Sequence, residues 1–191
     1  MPNLIEFFCE AYLRLKHDLT MQPRWRRAYQ RAREKVTSQT YFRNLHVHER
    51  MLADRARVDA YQQAIAKYVT AETTVLDLGT GTGVLAFFAA LRRARQVYAI
   101  DHAEIIEVAK VMAALHEFTN MTFLKANSKA VSLPEKVDIL VQEQMGSWIF
   151  NENMLESVLD LRERLLKPGG KILPARFELF VAPVQLKEAY R

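Results

Sequence analysis

The stretch Leu76-Asp77-Leu78-Gly79-Thr80-Gly81-Thr82-Gly83 constrains this chain more than any other. Only six glycines occur, at 79, 81, 83, 146, 169 and 170. Three within five residues mark a place where the backbone must do what a Cβ forbids. Thr74-Val75-Leu76-Asp77-Leu78 has the length and apolar content of a buried strand, and residues 84–91 those of a helix. A glycine-rich turn from strand to helix lets the backbone approach a ligand closely. Its spacing excludes two common ligand modes. Val84 stands where the dinucleotide fingerprint needs a third glycine, and no lysine follows Gly83 as a phosphate-binding P-loop requires. Asp77 would be awkward beside an anion but suits a cationic amino-acid group. The next strand, Gln96–Ile100, runs into Asp101, where an acid can accept hydrogen bonds from ribose hydroxyls. Two strand-end acids framing the glycines point to a nucleoside-type ligand.

At 191 residues, half of them apolar and about a quarter charged, the chain suits one globular domain. No run of 18 apolar residues occurs, and Glu6 and Glu10 interrupt the N-terminal apolar stretch, so neither a membrane span nor a secretory leader is expected. The single cysteine, Cys9, excludes an intramolecular disulfide and a cysteine-based zinc site. No metal is expected, and a reducing, cytoplasmic location is. The net charge of +5 is concentrated at the N-terminus, where residues 1–36 carry eight Lys and Arg against four acids.

Residues 1–36 read as a helical, basic N-terminal extension. Leu4, Phe7, Phe8, Ala11, Tyr12 and Leu15 form one amphipathic stripe, and Trp25, Tyr29, Ala32 and Val36 a second behind Pro23. Packing on the body or on a second copy is the expectation for these helices; nucleic acid and membrane are not the expected partners. Residues 37–191 read as the main domain. A break at 37–44 precedes a long helix from about His48 to Tyr68. Strands and helices then alternate: strands at 74–78, 96–100, 121–124 and 137–141, with helices at 84–91 and 103–117 between them. A helix over 154–166 is expected to end at Pro168-Gly169-Gly170, before strand 171–173. Alternating residues 177–181 predict a further, antiparallel strand. The fold class is therefore α/β, a Rossmann-like, mostly parallel sheet behind N-terminal helices.

Three other stretches carry chemistry. Asp54 and Arg57 stand at i, i+3 on the helix before the glycine loop, a spacing that by itself describes a surface ion pair. Glu143 falls at the carboxyl end of the fourth strand, the side on which open α/β sheets bind ligands. In the segment that follows, Gln144-Met145-Gly146-Ser147-Trp148-Ile149-Phe150-Asn151, the chain leads to Glu152, an acid also suited to a helix start. Lys167-Pro168-Gly169-Gly170 closes the domain.

VLDLGTGTGVLAFFAA followed by VYAID resembles the first motif and strand-two acid of the class I S-adenosylmethionine (SAM)-dependent methyltransferases, over roughly residues 72–182. Together with YF at 41–42, HERMLADRAR at 48–57, EQMGSWIFNENML at 143–155 and ILPARFELFVAP at 172–183, the pattern resembles the protein arginine N-methyltransferase family. The resemblance implies SAM as cofactor and S-adenosylhomocysteine as product. It implies that Gly79 and Gly81 approach the amino-acid part of the cofactor, with Asp77, Thr80 and Gly83 in the same loop. Asp101, beside His102, would hold the ribose, and Asn127 or Ser128 would contact the base. Arg57 would contact the cofactor carboxylate, with His48, Met51, Met154 and Glu143 around the same pocket.

Glu143 and Glu152 match the family's paired catalytic glutamates. A guanidinium is planar, offers five donors and stays protonated. Two carboxylates can hold it by forked hydrogen bonds and draw its charge from the nitrogen that attacks. Their own titrations would be coupled. Family members also carry a C-terminal β-barrel that supplies a Thr-His-Trp loop and a dimerisation arm. This chain departs from the pattern at Gln144, where an aromatic is expected, and at Lys129, where an adenine-binding acid is expected. Protein arginine is the implied acceptor. A small guanidine or amine acceptor, and a SAM-binding module inactive without a partner domain, are the alternatives.

Overall fold

The computed structural model describes residues 45–145 and 154–183. The N-terminal helices expected in 1–36, Tyr41-Phe42, the segment from Gly146 through Glu152, and residues 184–191 lie outside the described residues. Two helices, α1 (Leu45–Ala53) and α2 (Arg55–Tyr68), lead into β1 (Thr74–Leu78), α3 (Val84–Leu91), β2 (Gln96–Asp101), α4 (Ile106–Leu115) and β3 (Met121–Lys125). A 3-10 turn at Ser128–Ala130, β4 (Val137–Gln142), α5 (Met154–Leu165) and β5 (Leu166–Leu173) complete the order.

The five strands form one sheet in the order β3-β2-β1-β4-β5, every pairing parallel. Strand order reverses at β1, which lies between β2 and β4. In an open parallel sheet this reversal opens a crevice outside the carboxyl ends of the flanking strands. The glycine turn leaves β1 there and Glu143 leaves β4 there, so topology alone brings two segments distant in sequence to one crevice.

Side-chain alternation divides the core between the two faces of the sheet. Val75, Val97, Ala99, Ile139 and Val141 pack under Tyr61 and Ile65 of α2 and Leu85, Ala86, Ala89 and Ala90 of α3. Leu76, Leu78, Tyr98, Ile100 and Leu140 pack on the other face against Met154, Val158, Leu161 and Leu165 of α5. All five residues of β1 are buried, as its unbroken apolar run requires of a strand covered on both sides.

Three sequence expectations need correction. The helix expected from His48 to Tyr68 is two helices. Asp54 leaves helical geometry (φ −73°, ψ 80°), and its side chain accepts from the Arg57 N–H as the cap of α2. Pro168-Gly169-Gly170 is no turn ahead of the last strand but an irregularity within β5. Val137 pairs with Leu166 and Ile139 already with Lys171, so the intervening residues bulge, with Gly169 at φ +76°. The antiparallel strand expected at 177–181 is absent, and the described sheet is parallel throughout. Alternation makes a strand only where a sheet edge is there to pair, and these residues find none; Leu179, Phe180 and Val181 stand exposed.

Candidate active site

Gly79, Gly81 and Gly83 all take left-handed backbone (φ +71°, +55° and +89°). The N–H groups of Gly79 and Thr80 both donate to the Ile100 carbonyl at 2.9 Å, holding the turn against the end of β2. A Cβ on Gly81 would come within 2.9 Å of the His48 ring, and one on Gly79 within 2.8 Å of the Gln144 amide. At Gly83 the obstacles are Ala109 of α4 and the Phe87 ring, so this glycine serves helix packing.

Asp77 lies beneath the turn, 1% exposed. Its Oδ2 accepts from the Thr80 hydroxyl at 2.7 Å and from the Ala86 N–H at 3.1 Å. It thereby caps α3, whose N-cap residue Gly83 has no side chain to do so. Its Oδ1 is buried without a partner. Burial pushes this carboxyl up to about 7, against the opposing pull of Thr80 and Ala86. Asp101 closes the other side: Oδ2 accepts from the Gly81 N–H at 2.9 Å and Oδ1 from the Ala103 N–H at 2.8 Å. With one N–H on each oxygen, lone pairs remain for further donors. His102 stands 3.8 Å from Asp101, half-exposed.

The second wall comes from α1, α2 and the end of β4. Arg57 Nη1 donates to Glu143 at 3.1 Å, and Nη2 to the Met51 carbonyl at 3.0 Å. Its Nε lies 3.5 Å from Asp54, so the ion pair read from sequence spacing exists, but as one arm of a wider clamp. Glu143 is mostly buried; burial pushes its carboxyl upward, with Arg57 pulling the other way. One turn after Arg57, the Tyr61 hydroxyl donates to the Gln142 carbonyl at 2.8 Å. Burial first, then the nearby Glu143, push its phenol well above the ordinary range. Gln142 Oε1 accepts from the Gln144 N–H at 2.8 Å.

His48, Arg57, Asp77, Gly79, Thr80, Gly81, Asp101 and Glu143 thus meet around one crevice. Met51 contributes its carbonyl to Arg57, whereas Met154, the first residue of α5, is 1% exposed in the core between that helix and the sheet. Asn127 accepts from the Lys129 N–H and caps the 3-10 turn after β3, and the Ser128 carbonyl accepts from Arg164. Lys129 is paired with Glu156 at 2.6 Å. Neither Tyr61 nor Gln142 is singled out by the sequence alone. The signal for Tyr61 was its position, i+4 from Arg57 on the same helix. A concavity of about 320 Å³ lies at the opposite, amino end of the strands, between Thr73, Asp138, Lys167 and Gly169. Its central charge is already satisfied, Asp138 accepting from Thr74 and Lys167 at 2.7 Å each.

The profile of the family described as "Methyltransferase domain" matches residues 69–189. Protein arginine N-methyltransferase 6 of Danio rerio is 40% identical over 141 residues, 72% of this chain and 40% of that protein. Protein arginine N-methyltransferase PRMT10 of Arabidopsis thaliana is 36% identical over 144 residues, 74% of this chain and 38% of its own length. The crystal structure of Arabidopsis thaliana protein arginine methyltransferase 10, in an open conformation, superposes with a TM-score of 0.67 at 34% identity, covering 70% of this chain and 39% of that one. A Trypanosoma brucei PRMT1 enzyme–prozyme heterotetramer with AdoHcy gives a TM-score of 0.65 at 32% identity, covering 69% and 42%. The chain spans about two-fifths of the length of these relatives. With a family profile across well over half its residues, laid on a parallel sheet with a glycine turn at its reversal point, the chain belongs to the methyltransferase-domain family.

Proposed function

We propose that this chain binds SAM and transfers its methyl group to the guanidinium of protein arginine. The observation that carries the acceptor is the Arg57–Glu143 contact at 3.1 Å. Glu143, beside the glycine turn, already accepts from a guanidinium, the kind of donor a substrate arginine would present.

The residues fit the cofactor. Left-handed Gly79 and Gly81 let the turn pass against Gln144 and His48, where a Cβ would collide, so that main chain rather than side chain faces the crevice. Asp77 offers a buried acceptor without a partner, suited to an ammonium, and Asp101 keeps lone pairs for ribose hydroxyls. Arg57, held by the Met51 carbonyl, would meet the cofactor carboxylate, and His48 packs against Gly81 of the turn. Thr80 keeps Asp77 oriented. His102, Asn127 and Ser128 complete the proposed nucleoside end, and Gly83 sets how closely α3 packs. When bound, the cofactor supplies an electrophilic methyl on a sulfonium.

Glu143, ionised, accepts two N–H donors and draws positive charge toward the nitrogens it binds. The remaining nitrogen recovers lone-pair character. Glu152, outside the described residues, is assigned the second carboxylate on sequence grounds. Holding both reactants in line supplies part of the acceleration, an effect worth up to about 7–11 kcal/mol. The proton lost by the product guanidinium leaves through Glu143 or water. The relatives' names support protein arginine as substrate, and the single cysteine supports a cytoplasmic setting. No helix among the described residues is long and apolar enough to cross a membrane. Residues 1–36 are assigned as a separate helical extension, available for self-association.

The test is methyl transfer from labelled SAM to an arginine-rich peptide, with a lysine-substituted peptide and Glu143→Gln as controls. Transfer to arginine alone, lost in the variant, is the expected result. Binding of S-adenosylhomocysteine without transfer sinks stand-alone arginine methylation. A small guanidine acceptor, or a partner domain added in trans, would then be tested against the same chain; the heterotetramer formed by one structural relative motivates the second.

A further inference from the structure

The helix that carries Arg57 sends a second side chain to the same strand end. Tyr61, 8% exposed, donates its hydroxyl to the Gln142 carbonyl at 2.8 Å. That carbonyl lies beyond the β4–β5 ladder, whose last pair is Val141 with Leu173; Gln142 has a sheet neighbour only on the β1 side, Leu78. The carbonyl belongs to the peptide unit preceding Glu143. The unit following Glu143 is held too, because the Gln144 N–H donates to Gln142 Oε1 at 2.8 Å from a fully buried side chain. Both peptide planes around the Glu143 Cα are therefore anchored. With them the two backbone torsions of Glu143 are set, and so is the direction of its Cα–Cβ bond.

We propose that Tyr61 is a positioning residue for Glu143, its hydroxyl and the Gln142 side chain together fixing the backbone from which the acceptor-binding carboxylate projects. The inference rests on the arginine reading and deepens it. Arg57 orients the carboxylate only while no substrate occupies it. An arriving guanidinium takes the place of Arg57 on the carboxylate, and a cofactor carboxylate draws Arg57 away. The backbone anchors use neither the carboxylate nor Arg57, so they hold Glu143 in place when the ion pair is given up. The sequence spacing supports the pairing of roles: Arg57 and Tyr61, one turn apart, share the face of α2 turned to the end of β4.

The experiment compares Tyr61→Phe and Gln142→Met with the wild-type chain. Phe keeps the ring in the core and removes only the hydroxyl. Three readouts are taken: S-adenosylhomocysteine affinity by calorimetry, kcat and KM for an arginine-rich peptide, and the titration of Glu143 by NMR with carboxyl-labelled glutamate. Expected for each variant are cofactor-product affinity and peptide KM within about twofold, a kcat lower by about 10- to 100-fold as for a misplaced reacting group, and a Glu143 midpoint moved toward the ordinary carboxylate range. An unchanged kcat overturns the proposal. So does a parallel fall of affinity, KM-normalised rate and folded fraction, the pattern of a merely structural tyrosine. Should the wild type bind S-adenosylhomocysteine but methylate no arginine, the arginine reading fails by itself. The titration then decides the positioning alone: a shifted midpoint in Tyr61→Phe supports it and an unshifted one overturns it.

Discussion

The two halves of the crevice are built in different ways. On the β1–β2 side, the contacts join residues close in the chain: Thr80 to Asp77 across three positions, Ala86 to Asp77 across nine, Gly81 to Asp101 across twenty. Most donors there are backbone N–H groups, so the site is made by the course of the main chain. On the β4 side, the contacts span 86 positions from Arg57 to Glu143 and 81 from Tyr61 to Gln142. These are side chains reaching from α2 to a strand end. The first half exists once β1, α3 and the neighbouring strand β2 have formed and paired. The second requires the whole sheet and the preceding helix to be assembled. A half made of main chain tolerates change in its neighbours, whereas a half made of long side chains can be altered one residue at a time.

The comparison breaks most visibly at Glu143. Glu143→Gln is expected to lower kcat by roughly 10³-fold, the scale of losing one charged group aimed at the reacting centre, while S-adenosylhomocysteine affinity measured by calorimetry stays within about twofold. A comparable loss of affinity would show that the halves are not separable. Gly81→Ala probes the other half. Its φ of +55° and the 2.9 Å approach to His48 predict a penalty of about 2 kcal/mol, some 30-fold in cofactor affinity, with kcat at saturation retained.

Asp77→Asn tests the cost of burying an acid under the turn. The folded-state midpoint, about 7, lies above the ordinary 3.8. The contribution of Asp77 to stability is therefore greatest at low pH, falls as pH rises from about 4, and levels off above about 7, because its folded state holds a proton that the unfolded state has released. The variant removes that slope, so its advantage in urea unfolding should be larger at pH 8 than at pH 5 by on the order of 2 kcal/mol. It should bind the cofactor more weakly. In the acceptor half, the upward push on Glu143 predicts an acid limb of kcat/KM above the ordinary carboxylate range, since only the ionised form of the free chain accepts the guanidinium. The smallest effect belongs far from both halves. Thr74→Val, losing the hydroxyl on Asp138 at the amino end of β1, should cost about 1 kcal/mol in denaturant unfolding and leave kcat unchanged.

The same division explains what could be read before the fold was known. The glycine turn, Asp77 and Asp101 were legible because the residues that make the cofactor half are adjacent or end consecutive strands. The parallel sheet was legible from alternating apolar strands and helices. Glu143 could be placed at a strand end, but nothing local says that Arg57 reaches it. Tyr61 and Gln142 were invisible as a pair because their partnership is a product of topology. Asp54 was read only in part for a related reason: an acid three residues before an arginine fits an ion pair and a helix cap equally, and here it is both. The strand expected at 177–181 failed because alternation describes the chain and not the edge it needs.

A carboxyl group shut beneath the turn with one oxygen unpartnered also leaves a calorimetric signature. An ammonium arriving beside Asp77 favours its ionised form, so near neutral pH binding expels a proton into the medium. The apparent heat of association then depends on which buffer receives that proton. It should be more exothermic in an amine buffer of high ionisation enthalpy than in phosphate, and the difference between the two counts the protons released.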